Sequence, residues 1–530
     1  MSETRLNPSQ QRRYPLTQGV NPWLVVVSVM LPTFMEVLDT AIASVALPYI
    51  AGSLSASNSE ATWVLTSYLV ANAVILPASN WFARRFGRKR FLLICVMIFT
   101  VASFLCGAAT SLWVILLARV LQGAGGGALQ PLSQSILLES FAPKDRSKGM
   151  AAYGLGIVLA PVLGPTLGGW LTDTWSWRYA FYINIPIGIL AVLMITRFVH
   201  DPPHIQHAKV GPFDNIGFGL LIVWSGCLQV VLDKGQEDDW FGATWVRWTV
   251  AALIVSFVLW VWRSWTNPRG LVDLHILKDR NFRTACFMVA LLGMCIYITI
   301  AVLPLYYQEL MGYTAFAAGL VVGPRGIGAF LGAPVVGIIG SRIDPRKLIS
   351  GGFLGFAICA FTFGRVDLDI GPYTLLIPIV ITGFALSFVY VPLATEATST
   401  ISVNELGNAT GLFNMLRNIG GSIGIATMAT ALVRRAAFHQ NNLTADLAPS
   451  APALQQKSAL AAAYIGHHLG SATGRPGAFG LVYGALLQQS ALLAYVDVFR
   501  WTAALAIICA ACTWLFKNPD KHIQPPPGLH

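Results

Sequence analysis

The chain has 530 residues, of which 55% are hydrophobic and only 11% charged, with 49 glycines and a formal net charge of +11. Soluble domains carry roughly 25% charged residues, so this composition excludes a soluble globular enzyme and indicates a polytopic helical membrane protein. The basic balance suits loops facing anionic lipid and gives no support to nucleic-acid binding.

Apolar runs of about 20 residues, the length that crosses a bilayer, predict fourteen helices. In chain order they are 23–48, 61–82, 91–109, 112–139, 149–171, 179–199, 215–234, 245–265, 285–308, 317–341, 347–366, 373–397, 410–433 and 496–516. An even number places both termini on one side. Most of the 35 Lys and Arg fall in connections on that same side, which the positive-inside rule makes cytoplasmic. The basic tail over 1–22 leads straight into a full-length span, without the pattern of a cleavable leader. The expected organisation is an N-terminal six-helix half (23–199), an inserted helix pair with its flanking loops (200–284) and a C-terminal six-helix half (285–516). A long external loop covers 434–495 and a cytoplasmic tail covers 517–530.

Charge inside such spans is costly, at least ~2.5–3.5 kcal/mol per residue on insertion scales, so it marks a polar interior or an ion path. In the first helix Glu36 and Asp39 stand three residues apart and share one helical face. Two buried carboxylates this close penalise double ionisation, which is what a proton carrier requires. The fourth helix brings Arg119, followed by Gln122, Gly126, Gln130 and Ser133 at steps of three or four, a stripe expected to line a central cavity. Competition between a proton and Arg119 for Asp39 makes a two-state switch; a static ion pair tying two helices together is the alternative. The Gly125–Gly127 run suits close backbone approach. Arg325 in the tenth helix is placed near the outer interface, where a long side chain reaches water cheaply. Glu396 ends the twelfth helix as a candidate second carboxylate. In the thirteenth, Asn414, Arg417, Asn418 and Gly421 share a face that suits either an anionic group or hydrogen bonds to a neighbouring helix.

The connections carry less chemistry. Arg84, Arg85, Arg88, Lys89 and Arg90 fill the turn between the second and third helices, and a weaker copy of that pattern recurs over 337–347, as two related halves would leave it. All eight cysteines fall in apolar segments without metal-like spacing, and His467-His468 in the external loop reads as incidental. The acidic stretch 233–240 reads as a solvated turn. Apolar runs at 460–464 and 481–493 suit helices lying on the membrane or against a partner. No GxxxxGK[ST] loop, HExxH, nucleophile elbow or redox CxxC in a soluble context appears, so neither ATP binding nor catalysis is indicated.

Several segments resemble the major facilitator superfamily. The run from Asn80 to Arg90 is similar to that family's GxLaDRxGRK motif, with Arg85, Gly87, Arg88 and Lys89 at the gating positions. Asn80 stands where the family has glycine, and Arg84 where it has the aspartate of a cytoplasmic latch, so Arg84 needs a different partner. The run Leu38 to Pro48 resembles the LDxTIVNVALP box of fourteen-helix drug:proton antiporters, and Arg119 to Gly123 their RxxQG box. Gly164, Pro165, Gly168 and Gly169 resemble the antiporters' fifth-helix GPxxGG element, although Ala151 and Ala160 replace its upstream glycines. Trp177 to Gly188 also matches. The likeness spans nearly the whole chain and is nearest the EmrB-type multidrug exporters.

The resemblance implies a major facilitator fold of two six-helix halves plus a peripheral helix pair. It also implies a secondary transporter, not an enzyme, exporting hydrophobic or amphiphilic compounds across the inner membrane in exchange for protons. Asp39, Glu36 and Arg119 are then the proton-coupling candidates, and Gln122, Gln130, Glu396, Asn414, Arg417 and Asn418 the cavity candidates. No cofactor is expected beyond the proton gradient. The expected partners are membrane lipid, a periplasmic adaptor protein and an outer-membrane channel. The alternatives are an exporter of one metabolite, fatty acid or siderophore, a nutrient importer, and a non-transport scaffold.

Overall fold

The computed structural model describes residues 21–141, 145–201, 212–267, 270–340, 342–371, 373–402, 405–446, 455–456, 459–460, 462–463 and 471–516. The two tails, beyond residues 21 and 516, and His467-His468 lie outside these. The described residues form helices and no strand. Thirteen of the helices are long and apolar enough to cross a membrane. In chain order the long helices are α1 (Pro22–Ser53), α2 (Asn58–Phe86), α3 (Arg88–Gly107), α4 (Leu112–Ser140), α5 (Arg146–Thr174), α6 (Tyr179–Phe198) and α7 (Asn215–Lys234). They continue with α8 (Thr244–Thr266), α9 (Arg280–Leu310), α10 (Phe316–Ile339), α11 (Pro345–Phe363), α12 (Leu376–Ala397), α13 (Leu406–Asp446) and α14 (Ser471–Cys512). The one that falls short on apolarity is α13, which carries Asn408, Asn414, Arg417 and Asn418 in its first turns yet packs among the spans α2, α9 and α14.

Four elements depart from the sequence expectation. An external loop is expected over 434–495, but α13 stays helical to Asp446 and α14 already begins at Ser471. At 1.5 Å per residue their 41 and 42 residues make rods of about 60 Å, twice the hydrocarbon thickness, so both project well beyond it. Arg435 of α13 donates to Asp497 of α14 (2.6 Å), and His439 meets the same carboxylate oxygen at 2.8 Å, joining the two rods where they run side by side. The fourth helix breaks at Gly127–Ala128, and α10 breaks at Gly323–Pro324.

Lipid tails are as apolar as leucine, so these helices are held by close packing of small residues and by internal hydrogen bonds. A Cβ at Gly123 or Gly127 would strike the α2 backbone at Tyr68 or Asn72, so the glycine run of α4 works as a packing surface. In the antiporter-like element, Gly164 and Gly168 seat α5 on α1 at Ala41 and Ile42, and Gly169 brings it against Phe316 of α10. Helices α1–α6 thus form one half and α9–α14 the other, with α5 crossing to α10 and α12, and α2 and α4 crossing to α13.

The halves meet toward both ends, at Gly169 on Phe316 away from the basic α2–α3 turn and at several places near it. Near the turn Asn80 abuts Gly407, Thr410 donates to the Pro131 carbonyl (3.2 Å), Asn414 donates to Gln134 (2.6 Å), and Gly154 lies against Tyr390. Every residue from Leu129 to Ser140 is buried, so the path toward this basic end is closed. Nearer the other end, α7 rests against both α2 and α13. Asp233 accepts from Thr66 of α2, Lys234 bonds Thr62 of α2, Ser422 of α13 donates to Gln229 (2.9 Å), and Trp240 donates to Thr430 of α13 (3.1 Å). The inserted pair therefore straps the seam through α7, whereas α8 turns Trp248, Ile254, Val258 and Trp262 outward.

The α10–α12 crossing is the tightest test of this packing, because a Cβ at Gly383 would meet the Arg325 carbonyl oxygen while one at Gly351 meets nothing within 4 Å. Gly383→Ala is expected to cost about 1–3 kcal/mol by overpacking, and Gly351→Ala to gain up to about 1 kcal/mol through helix propensity. Thermal unfolding of the two variants in one detergent checks the sign of each.

Candidate functional site

The charged residues of the first half converge on Asp39. Arg119 Nη1 donates to Asp39 Oδ2 (2.6 Å), while Gln122 Nε2 (2.8 Å) and Asn184 Nδ2 (2.7 Å) donate to Oδ1. Asp39, Arg119, Gln122 and Asn184 are each 0% exposed. The guanidinium also donates through Nε to the Val64 carbonyl (2.9 Å) and through Nη1 to Gln122 Oε1 (2.8 Å), and it lies over the Tyr68 ring at 4.3 Å. Ser103 accepts from Gln122 (2.7 Å) and from Asn184 (3.3 Å). All of these partners belong to α1, α2, α3, α4 and α6, so the network lies wholly within one half.

Glu36, one turn earlier on α1, has a different setting. Asn72 of α2 donates to its Oε1 (3.0 Å), whereas Oε2 is buried without a hydrogen-bond partner among the described residues. Gln130 stands beside it and accepts from Arg417 of the other half. Arg417 also donates to the Tyr390 hydroxyl (3.3 Å) and to Asn418 (3.4 Å). Glu36 and Arg417, 5% and 4% exposed, thus lie on opposite sides of the seam with the Gln130 carboxamide beside both.

The sequence-predicted stripe on α4 meets the two carboxylates of α1 in turn: Arg119 and Gln122 bond Asp39, and beyond Gly127–Ala128 Gln130 stands beside Glu36 and bonds Arg417. Asn414 spends its amide on Gln134 and on the Thr410 carbonyl (2.8 Å). Glu396 lies apart from this centre, at the basic end of α12, with Asn281 donating to it at 3.5 Å. Arg325 is 2% exposed, not at an interface.

The basic turn has partners the sequence reading missed. Arg88 is buried in an ion pair with Glu139 at the end of α4. Lys89 donates through its backbone N–H to Asp201 (2.8 Å) and through Nζ to the Thr196 carbonyl (2.7 Å). Gly87 has φ +89°, and a Cβ there would stand 2.7 Å from Asp201 Oδ2, so both backbone and space require glycine. Arg84 and Arg85 are exposed, and Asn80, where the family has glycine, is the residue that meets α13. Asn72 and Asn184 were legible as lone carboxamides in apolar spans; which carboxylate each meets was not.

The two carboxylates should answer differently to neutralisation. Asp39→Asn leaves the buried Arg119 charge unbalanced, with an expected cost of about 3–5 kcal/mol, while Glu36→Gln removes a group already lacking one partner and should change stability by less than about 1 kcal/mol. Unfolding midpoints of both variants against the wild type measure the difference.

Comparison with known proteins agrees with this architecture. The family model described as Major Facilitator Superfamily matches residues 29–425. The multidrug export protein EmrB of Haemophilus influenzae is 37% identical over 452 residues, covering 84% of this chain and 87% of that protein. EmrB of Escherichia coli is 34% identical over 514 residues, covering 96% and 98%. The fatty acid resistance protein FarB of Neisseria gonorrhoeae is 35% identical, also covering 96% and 98%. The human organic anion transporter MFSD10 shares the fold, with a TM-score of 0.55 at 14% identity over 92% of this chain and 99% of that one. On fold, motifs and these matches together, the chain belongs to the Major Facilitator Superfamily, among its EmrB-type multidrug export proteins.

Proposed function

We propose that the chain is a proton-coupled exporter of drugs and related hydrophobic or amphiphilic compounds, working by alternating access in the inner membrane with both termini cytoplasmic. The observation that carries this reading is Glu36: a buried carboxylate at the seam between the two halves, with Gln130 beside it bonded to Arg417 of the opposite half. The relatives named for multidrug export support the substrate class, and the lack of a nucleotide-binding loop in the sequence leaves an ion gradient as the energy source.

With the basic end cytoplasmic, the seam is closed toward the cytoplasm, and Gly169 on Phe316 joins the halves at the opposite end as well. A proton arriving from outside neutralises Glu36 and weakens its attraction for a cationic substrate and for Arg417, favouring release. Rocking of the halves then exposes the group inward, where the proton leaves and the next substrate enters. Asp39, held by three donors inside one half, keeps α1 in register with α4 and α6 and so positions Glu36. Arg417 at the same seam suits anionic amphiphiles, and the relative named for fatty acid resistance places carboxylates in the substrate panel. The projecting ends of α13 and α14, which expose Val433, Phe438, Leu481, Tyr483 and Leu487, are the surface offered to a periplasmic adaptor and, through it, an outer-membrane channel.

The test is substrate-driven proton movement in proteoliposomes carrying a pH-sensitive dye, across amphiphilic cations and anions. Wild type should move protons with at least one compound, and Glu36→Gln should bind that compound yet lose at least about 90% of the flux, as loss of an essential proton carrier implies. Undiminished flux in Glu36→Gln with silence in Asp39→Asn would move the carrier to Asp39. Silence of the wild type with every compound would remove proton coupling itself.

A further inference from the structure

The second half holds a guanidinium with nothing to bind. Arg325 opens the part of α10 that follows the Gly323–Pro324 break. It is 2% exposed, and Nε, Nη1 and Nη2 all lack a hydrogen-bond partner among the described residues. Its surroundings are closed by the α10–α12 crossing, where Gly328 abuts Val380 and Gly383 abuts the Arg325 carbonyl. The Cys359 thiol of α11 is the charge's electrostatic neighbour, with the Thr382 hydroxyl of α12 next to that thiol. In the part of α10 before the break, Ala318 and Val322 join an apolar cluster with Tyr307, Phe363 and Ile379. Tyr307 in that cluster carries a second buried polar group, its hydroxyl, without a partner among the described residues.

The other buried arginines show what this position lacks. Arg119 has Asp39, Gln122 and a carbonyl; Arg88 has Glu139; Arg417 has Gln130, Tyr390 and Asn418. A guanidinium stays charged in any protein environment, and an uncompensated buried charge is among the most costly arrangements a fold can hold. Cys359 and Thr382 are neutral, so the described residues supply no counter-charge here.

We infer that Arg325 is the core of an anion site, taking a small monovalent anion, either a halide or a carboxylate group, in the fork of its guanidinium. A planar fork of five donors suits a carboxylate bidentately and a halide by two parallel N–H contacts. Both sources share this chemistry: a free inorganic ion from solution, and the head of an anionic amphiphile. The burial of the site favours a compact group over a bulky divalent one.

The experiment uses the full chain in nanodiscs, in a halide-free buffer with sulfate as counter-ion, and follows the midpoint of thermal unfolding while sodium bromide, or separately sodium decanoate, is added. A control chain carries Arg325→Leu, and a second carries Arg325→Lys. Wild type should show a saturable rise in midpoint with bromide, decanoate or both. Arg325→Leu should show no such rise, and without added anion its midpoint should match or exceed that of the wild type, because an unpaired charge has gone. Arg325→Lys should bind about tenfold more weakly, as the loss of one charge-assisted hydrogen bond predicts, which keeps the test decisive if the leucine variant does not fold. A response to bromide alone assigns the site to an inorganic ion, and one to decanoate alone to an amphiphile head. No saturable response in the wild type, or the same response in Arg325→Leu and Arg325→Lys as in the wild type, overturns the site.

Discussion

A chain that crosses a bilayer this many times has little water at depth with which to settle its charges, so a buried ion needs a partner close beside it. The ion pair of Asp39 and Arg119 is where this constraint acts most completely. Oxygen and nitrogen are 2.6 Å apart, both residues are sealed from solvent, and the carboxylate's remaining capacity is taken by Gln122 and Asn184. Five of the six helices of the first half contribute to that one cluster, so it fixes the rotation of each about its own axis. The register of α1 follows from it, and with the register the placement of every other polar residue on α1.

Small residues do the complementary work. Polar contacts specify rotation, but only glycine lets backbones approach closely enough for dispersion to hold helices together where lipid competes. The same device appears within a half, at Gly123 and Gly127 of α4 on α2, and across the seam, at Gly169 of α5 on α10 and Gly407 of α13 on Asn80. The seam carries apolar packing too, since one buried cluster takes in Leu132, Ile136 and Tyr153 of the first half with Ala333, Tyr390 and Phe413 of the second. The inserted pair adds a strap that reaches α2 through Thr62 and Thr66 and α13 through Ser422 and Thr430.

The spans, the two halves and the charged positions were legible in the sequence because hydropathy and the rarity of intramembrane charge are strong local signals. Partnerships were not. Nothing local to Asn184 tells which carboxylate it meets 145 positions away, and Glu139 and Asp201 gained their roles only when folding brought them to the basic turn. Periodicity put the polar stripe of α4 on one face but did not show that its Gln130 bonds Arg417 across the seam. The length of α13 was hidden because hydropathy ends where the membrane ends while a polar helix continues past it, whereas the apolar run 481–493 was legible as a helix but not as one rod with the last span. Arg325 was placed by what a lone arginine in a membrane usually does; two close α10–α12 contacts keep it buried instead.

Glu36 and Asp39 show how one helix serves both rigidity and motion. Three residues along an α-helix rotate by about 300°, leaving their side chains roughly 60° apart. That angle is small enough for both to lie on the inner side of α1, and large enough for Asp39 to point into its own half while Glu36 reaches the seam. When two halves rock as bodies, an interaction confined to one half keeps its energy, and only an interaction shared between them can change. Every partner of Asp39 moves with it, whereas the environment of Glu36 includes Arg417 and, through Gln130, the hydrogen bonds of α13. In the proposed mechanism the free energy of protonating Glu36 is therefore tied to the conformation of the whole bundle, and by reciprocity a proton at Glu36 biases that conformation by the same amount.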